Sequence, residues 1–339
     1  MKLLLLTLIF VFSNCTKEKD KSLIQQLTEF SVLSVASSSS KCSINSSNNS
    51  NYFQAKTTPQ GGNTIVNRLN AKISSDDVEV YYPESTSKDL PVVVLYQGGN
   101  VHASFYSKFA ARIASSNYAV YVVNRCSVFI IQYFLYPSSS LSNEIYELAK
   151  KQNTDTTSVL LGRLNPERIG IIGHSLGGVI GQFSMNGICE VPFCNGSVSR
   201  LSQEKVGIFY GSGLGESFNK SRYYVDSTGK GIPTAYIQGS RDSAYVPDTA
   251  EKNYANSISP KYLVTVEGTN HYGINDGDNP FGANQESNRN TIEQTLGIER
   301  ISLISIEFLN AYTKLDANSI VKINSNTLGI TGVSSKSSP

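Results

Sequence analysis

The stretch that decides the reading is Pro166-Glu167-Arg168-Ile169-Gly170-Ile171-Ile172-Gly173-His174-Ser175-Leu176-Gly177-Gly178-Val179-Ile180. Its first half is a short apolar run of the kind that forms a buried parallel strand. Its second half, with apolar Val179, Ile180 and Phe183, reads as a helix. Between them lies Gly173-His174-Ser175-Leu176-Gly177, a G-x-S-x-G. In a strand–turn–helix setting that pattern places a serine on a sharp turn, because glycines at both flanks remove the Cβ atoms that would obstruct it. The Ser175 hydroxyl then stands above the strand end, and the N-terminus of the following helix points unpaired N–H groups at any negative charge that develops there.

Working outward, strand-like runs alternate with helix-like ones. Strands are expected at residues 78–82, 92–96, 118–123, 168–172, 206–210, 234–238 and 262–266. Helices are expected at 105–114, 141–151, 247–258 and 291–312. Such alternation predicts an α/β fold with a mostly parallel central sheet flanked by helices.

A serine needs a base to take its proton. The chain has three histidines. His174 sits inside the turn, His102 follows the first buried run, and only His271 lies downstream of Ser175. That is where the order Ser, acid, His requires the base. The acid is expected at a strand end between them. Asp242, after Gly239-Ser240-Arg241, is the candidate, with Asp248 and Asp276 as rivals. Asp276 and Asp278 flank Gly277 as a solvated turn, and we expect no metal site. An oxyanion hole needs two backbone N–H groups. Leu176 is expected to supply one, and Gly99 in Gln97-Gly98-Gly99-Asn100 the other, with Gly98 as its rival.

These segments resemble the α/β-hydrolase superfamily over residues 62–315. They look most like its branch of dienelactone-hydrolase-like esterases, chlorophyllases, platelet-activating-factor acetylhydrolases and bacterial polyesterases. The resemblance rests on Gln97-Gly98-Gly99 with Ser104-Phe105-Tyr106-Ser107, on Gly173 to Gly178, on Gly239-Ser240-Arg241-Asp242, and on Asn270-His271-Tyr272-Gly273-Ile274. It implies the α/β-hydrolase fold, a nucleophile elbow framed by Gly173 and Gly177, and a Ser175–His271–Asp242 triad. It further implies hydrolysis of a small-molecule or lipid ester without a cofactor. The serine, in place of the cysteine of dienelactone hydrolase itself, favours simple ester hydrolysis. Competing readings are a peptidase or thioesterase using the same triad, and a non-catalytic binding or adhesion module on the same scaffold.

The flanks of the chain read differently. Met1-Lys2 followed by an apolar run to Phe12 has the length of a signal-peptide core and is too short to span a bilayer. Cys15 follows directly, and the arrangement resembles a bacterial lipoprotein signal, although Phe12 and Asn14 depart from the usual residues. We expect residues 1–15 to act as that signal, with lipid on Cys15 holding the protein at the cell envelope, on the outer membrane where two membranes exist. Residues 16–61, rich in Ser and Asn, are expected to be a linker. Residues 62–325 are expected to form the catalytic domain and 326–339 a flexible tail. Export gives the remaining cysteines, Cys42, Cys126, Cys189 and Cys194, an oxidising setting, and Cys189–Cys194 is the expected small disulfide loop. The net charge of +2 and the lack of a basic stripe argue against a nucleic-acid partner.

Overall fold

The computed structural model describes residues 52–56, 63–129, 132–194, 196–213, 222–245 and 247–339. The expected signal sequence, Cys15, Cys42 and the Ser/Asn-rich stretch through residue 51 lie outside them. Twelve described strands run β1 (Tyr52–Lys56), β2 (Asn63–Ile73), β3 (Asp76–Pro83), β4 (Leu90–Tyr96), β5 (Ala119–Asn124), β6 (Cys126–Phe129), β7 (Gln132–Leu135), β8 (Leu164–His174), β9 (Glu204–Tyr210), β10 (Thr234–Gly239), β11 (Lys261–Val266) and β12 (Val333–Ser338). The helices are α1 (Ser107–Ala114), α2 (Leu141–Thr154), α3 (Leu176–Met185), α4 (Pro247–Asn256), α5 (Gln294–Thr313) and α6 (Ala317–Asn324).

One large sheet organises the chain, in the order β1-β2-β3-β5-β4-β8-β9-β10-β11-β12. Strands β5, β4, β8, β9, β10 and β11 are mutually parallel. Antiparallel strands complete both sides, β3 on β5 and β12 on β11. Side chains alternate across a strand, so each apolar run feeds two cores. Val93, Leu95, Val120, Val122, Ile172, Ile208, Ile237 and Val264 face α1 and α5 through Phe109, Ile113, Ile301, Ile304 and Phe308. On the opposite face Val92, Val94, Tyr121, Ile169, Ile171 and Phe209 pack with Ile145 of α2 and Ile180 and Phe183 of α3. Both faces are covered, which is why the central strands read as continuous apolar runs. The architecture is therefore α/β, with a large, mostly parallel sheet between helices.

Two expectations about the flanks are corrected. Residues 326–339 are not simply a tail, because β12 pairs along the whole of β11, from Lys261↔Ser338 to Val266↔Val333. Ser334, Ser335, Lys336, Ser337 and Ser338 lack strand patterning, but backbone pairing alone suffices at an edge, where polar and Lys residues also discourage further association. Residues 16–61 are not all linker, because β1 pairs antiparallel with β2. Cys189 and Cys194 form the expected disulfide, with Cα atoms 5.1 Å apart, and Cys126 is disulfide-bonded as well. Among the described residues no helix is long and apolar enough to cross a membrane.

Candidate active site

Strands β4, β8, β9, β10 and β11 lie side by side and point the same way. Their carboxyl ends therefore open on one edge, the usual place for a site in such a sheet. Each contributes one loop: Gln97 to Asn100 after β4, Ser175 after β8, Gly211 after β9, Asp242 after β10 and His271 after β11. Ser175 and His271, 96 positions apart in sequence, meet for this reason.

Ser175 links β8 to α3 at φ 51° and ψ −127°, a backbone state uncommon for a residue with a Cβ. The surroundings hold it there. Its N–H donates to Tyr210 O at 3.1 Å, its carbonyl accepts from Gly178 N at 2.9 Å, and Ser212 Oγ donates to the same carbonyl. Gly177 must be glycine, since a Cβ there would run into the carbonyl oxygens of Tyr96 and Gln97.

The Ser175 hydroxyl lies 2.8 Å from His271 Nε2, and His271 Nδ1 lies 3.0 Å from Asp242 Oδ2. Asp242 is held by Tyr245 N–H on its other oxygen at 2.7 Å. All three residues are buried, Ser175 with 5% of its surface exposed. Burial by itself lowers the His271 pKa, but the charge and hydrogen bond of Asp242, with a further contribution from the Glu286 charge, outweigh it and hold the imidazole above its ordinary value of 6.5. Gly211, at φ 54°, lets the β9 loop pass under this pair; a Cβ would stand 2.9 Å from Asp242 Oδ2 and 3.0 Å from His271 Nδ1.

Of the rival acids, Asp248 is solvated on α4 and pairs with Lys252 at 3.5 Å. Asp276 instead tethers the start of α1, accepting from Ser107 Oγ at 2.5 Å and Lys108 N at 3.0 Å. Asp278 accepts from Asn270 Nδ2 and pairs with Arg289. Between the two rival oxyanion donors, Gly98 N–H is already committed to Tyr106 Oη at 2.8 Å. The N–H groups of Gly99 and Leu176 have no partner among the described residues. The two residues are also adjacent, since a Cβ on Gly99 would lie 3.3 Å from Leu176 Cδ2.

His174 and Tyr106 join these parts beneath the surface. His174 Nε2 faces the His271 carbonyl at 2.9 Å, so it carries the proton, and Nδ1 accepts from Tyr106 Oη at 2.9 Å. Burial, reinforced by the nearby His271, pushes the His174 pKa well below 6.5 and keeps the ring neutral. The loop bearing Gly98 is thereby connected through two buried side chains to the backbone of His271. His102, by contrast, takes no part and accepts from Ser104 N to cap a short turn.

The sequence-based expectation names no Glu286 and gives no role to the Tyr106 hydroxyl or the Asn100 side chain. Asn100 sits at φ 57° and binds Leu135 of β7 through both its N–H and its Oδ1. Asp242, His271 and Glu286 bring potential ligand atoms within 4.8 Å of one another. A cation held by these three would have to replace the proton that His271 Nδ1 shares with Asp242. The chain matches no family model and shows significant similarity to no curated protein.

Proposed function

We propose that this protein is a serine hydrolase of the α/β-hydrolase type that cleaves carboxylic esters through an acyl-enzyme. The observation that carries this reading is the buried relay from Ser175 Oγ through His271 to Asp242, at 2.8 and 3.0 Å, beside two uncommitted N–H groups. Ser175 Oγ attacks the ester carbonyl carbon while His271 Nε2 takes its proton. Gly99 and Leu176 N–H groups receive the oxyanion. Asp242 holds Nδ1–H and stabilises the imidazolium without itself being protonated. The proton passes from Nε2 to the leaving alkoxide, and water then repeats the cycle on the acyl-enzyme to release the acid.

The same reading places the enzyme at a bacterial cell envelope, tethered by lipid on Cys15. The catalytic test is turnover of p-nitrophenyl esters of graded acyl length by wild type and Ser175→Ala. Wild type is expected to turn over, and the variant to lose about 10⁴ to 10⁶ in rate with an unchanged melting curve. Near-normal turnover by the variant refutes the assignment. Detergent partitioning of Cys15→Ser in a bacterial host tests the tether.

A further inference from the structure

We propose that Glu286 is a positioning residue for the base, fastening the loop of Asp242 to the loop of His271 and adding negative charge behind the imidazole. The role rests on reading His271 as a general base. Glu286 lies in a polar loop without apolar periodicity, yet it is 5% exposed. Its Oε2 accepts from the backbone N–H of His271 at 2.7 Å. Its Oε1 accepts from Ser243 N at 2.5 Å and Ser243 Oγ at 2.6 Å, one residue beyond the acid. One side chain therefore ties the backbone of His271 to Ser243, the residue next to the Asp242 of the 3.0 Å His271–Asp242 bond. Glu286 is itself fixed from behind, with its N–H donating to Asn279 Oδ1 at 2.7 Å and its carbonyl accepting from Asn279 Nδ2 at 3.3 Å.

The choice of a carboxylate is informative. All three groups facing it are donors, so glutamine would present an NH₂ to a donor on one side and lose a bond there. A clamp made of neutral groups could set the same geometry without the charge. The charge acts on the imidazole, since an anion within a few ångströms in a buried site favours the protonated ring. That ring is faced by the carboxylates of Asp242 and Glu286, by the Ser175 hydroxyl, and by the rings of His174 and Tyr272 at centroid distances of 5.0 and 5.3 Å. Burial keeps His174 neutral and Tyr272 protonated, so the two carboxylates are the charges that matter. During turnover they stabilise the imidazolium formed as Ser175 loses its proton.

The experiment titrates His271 by NMR in the full chain for wild type, Glu286→Gln and Ser243→Ala, alongside pH–rate profiles on one p-nitrophenyl ester. Glu286→Gln is expected to weaken proton affinity of His271 about tenfold, moving the acid limb of the rate profile to lower pH while its plateau falls about 10- to 100-fold. Ser243→Ala keeps the charge and should leave the titration in place. Should Glu286→Gln not fold, Glu286→Asp, whose shorter side chain draws the charge back, is expected to move the titration the same way by less. An unmoved His271 titration in whichever variant folds overturns the proposal, as does an equal movement in Ser243→Ala. A wild-type chain that turns over no ester sinks the hydrolase reading instead, and the titration still decides what Glu286 does to His271.

Discussion

Ser175 and His271, the proposed nucleophile and base, stand 2.8 Å apart but are held by opposite means. Ser175 ends a strand buried on both faces, and its turn is shaped by glycine and backbone contacts. His271 sits in an irregular loop built from amide side chains. Asn270 donates through Nδ2 to Asp278 and to the Asn288 carbonyl and accepts from Tyr272 N–H. Asn290 accepts from Asn270 N–H, and Gln294 donates to the carbonyls of Tyr272 and Asn275. Glycine sterics and backbone pairing thus fix Ser175, and side-chain amides fix the loop of His271. A buried loop must satisfy its backbone groups somehow, and here Asn and Gln replace the ladder that a strand would supply.

The contrast can be broken from either side. The largest effect is expected at the turn. Gly177→Ala drives a Cβ into backbone carbonyls that cannot move without parting β4 from α3, so the variant should fail to fold or lose more than about 4 kcal/mol in urea unfolding. Next comes the acid. Asp242→Asn keeps the shape but favours the wrong imidazole tautomer, and turnover should fall by about 10⁴ with little change in melting. Asp276→Asn, which touches only the α1 end, should stay within about tenfold. Asn270→Ala strips the base loop of three hydrogen bonds. Turnover should drop about 10²-fold, whereas hydrogen exchange should rise in the loop and not in β8. Equal protection in both regions would show that the loop does not depend on its amides.

The last effect leaves turnover aside and concerns stability against pH. Glu204, at the start of β9, is buried, and burial outweighs the lowering effect of Ser142, Arg200 and Ser184 to raise its pKa from 4.5 to about 8. The folded chain keeps this proton after the unfolded chain has released it, so stability falls as pH rises from about 4.5 to about 8. Glu204→Gln should flatten that part of the curve, measured by urea midpoints across the range. An unchanged slope would place the pH dependence elsewhere.

The same division explains what the sequence disclosed. Runs such as Val92-Val93-Val94-Leu95-Tyr96 announce a two-faced parallel sheet because burial demands apolar side chains. The Ser175 turn is legible because its sterics require glycine at defined offsets. Asp242 and His271 were reachable because each follows a readable strand. Glu286 was not, since nothing in Gln285-Glu286-Ser287-Asn288 separates a buried clamp from a solvated loop. Tyr106 reads as an ordinary core aromatic, and its hydroxyl gains meaning only when His174 and Gly98 arrive from distant segments. Strand β12 was invisible for another reason: backbone pairing at an edge leaves no imprint in Ser-Ser-Lys-Ser-Ser.

The central claim is that His271 activates Ser175 as a nucleophile. Treating the purified chain with a fluorophosphonate and locating the adduct by mass spectrometry tests it most directly. The account predicts one phosphonyl group per chain, on Ser175, with labelling that slows as pH falls and His271 takes up a proton. It also predicts that labelling is lost in His271→Ala. No adduct on Ser175, or equal labelling without His271, contradicts it.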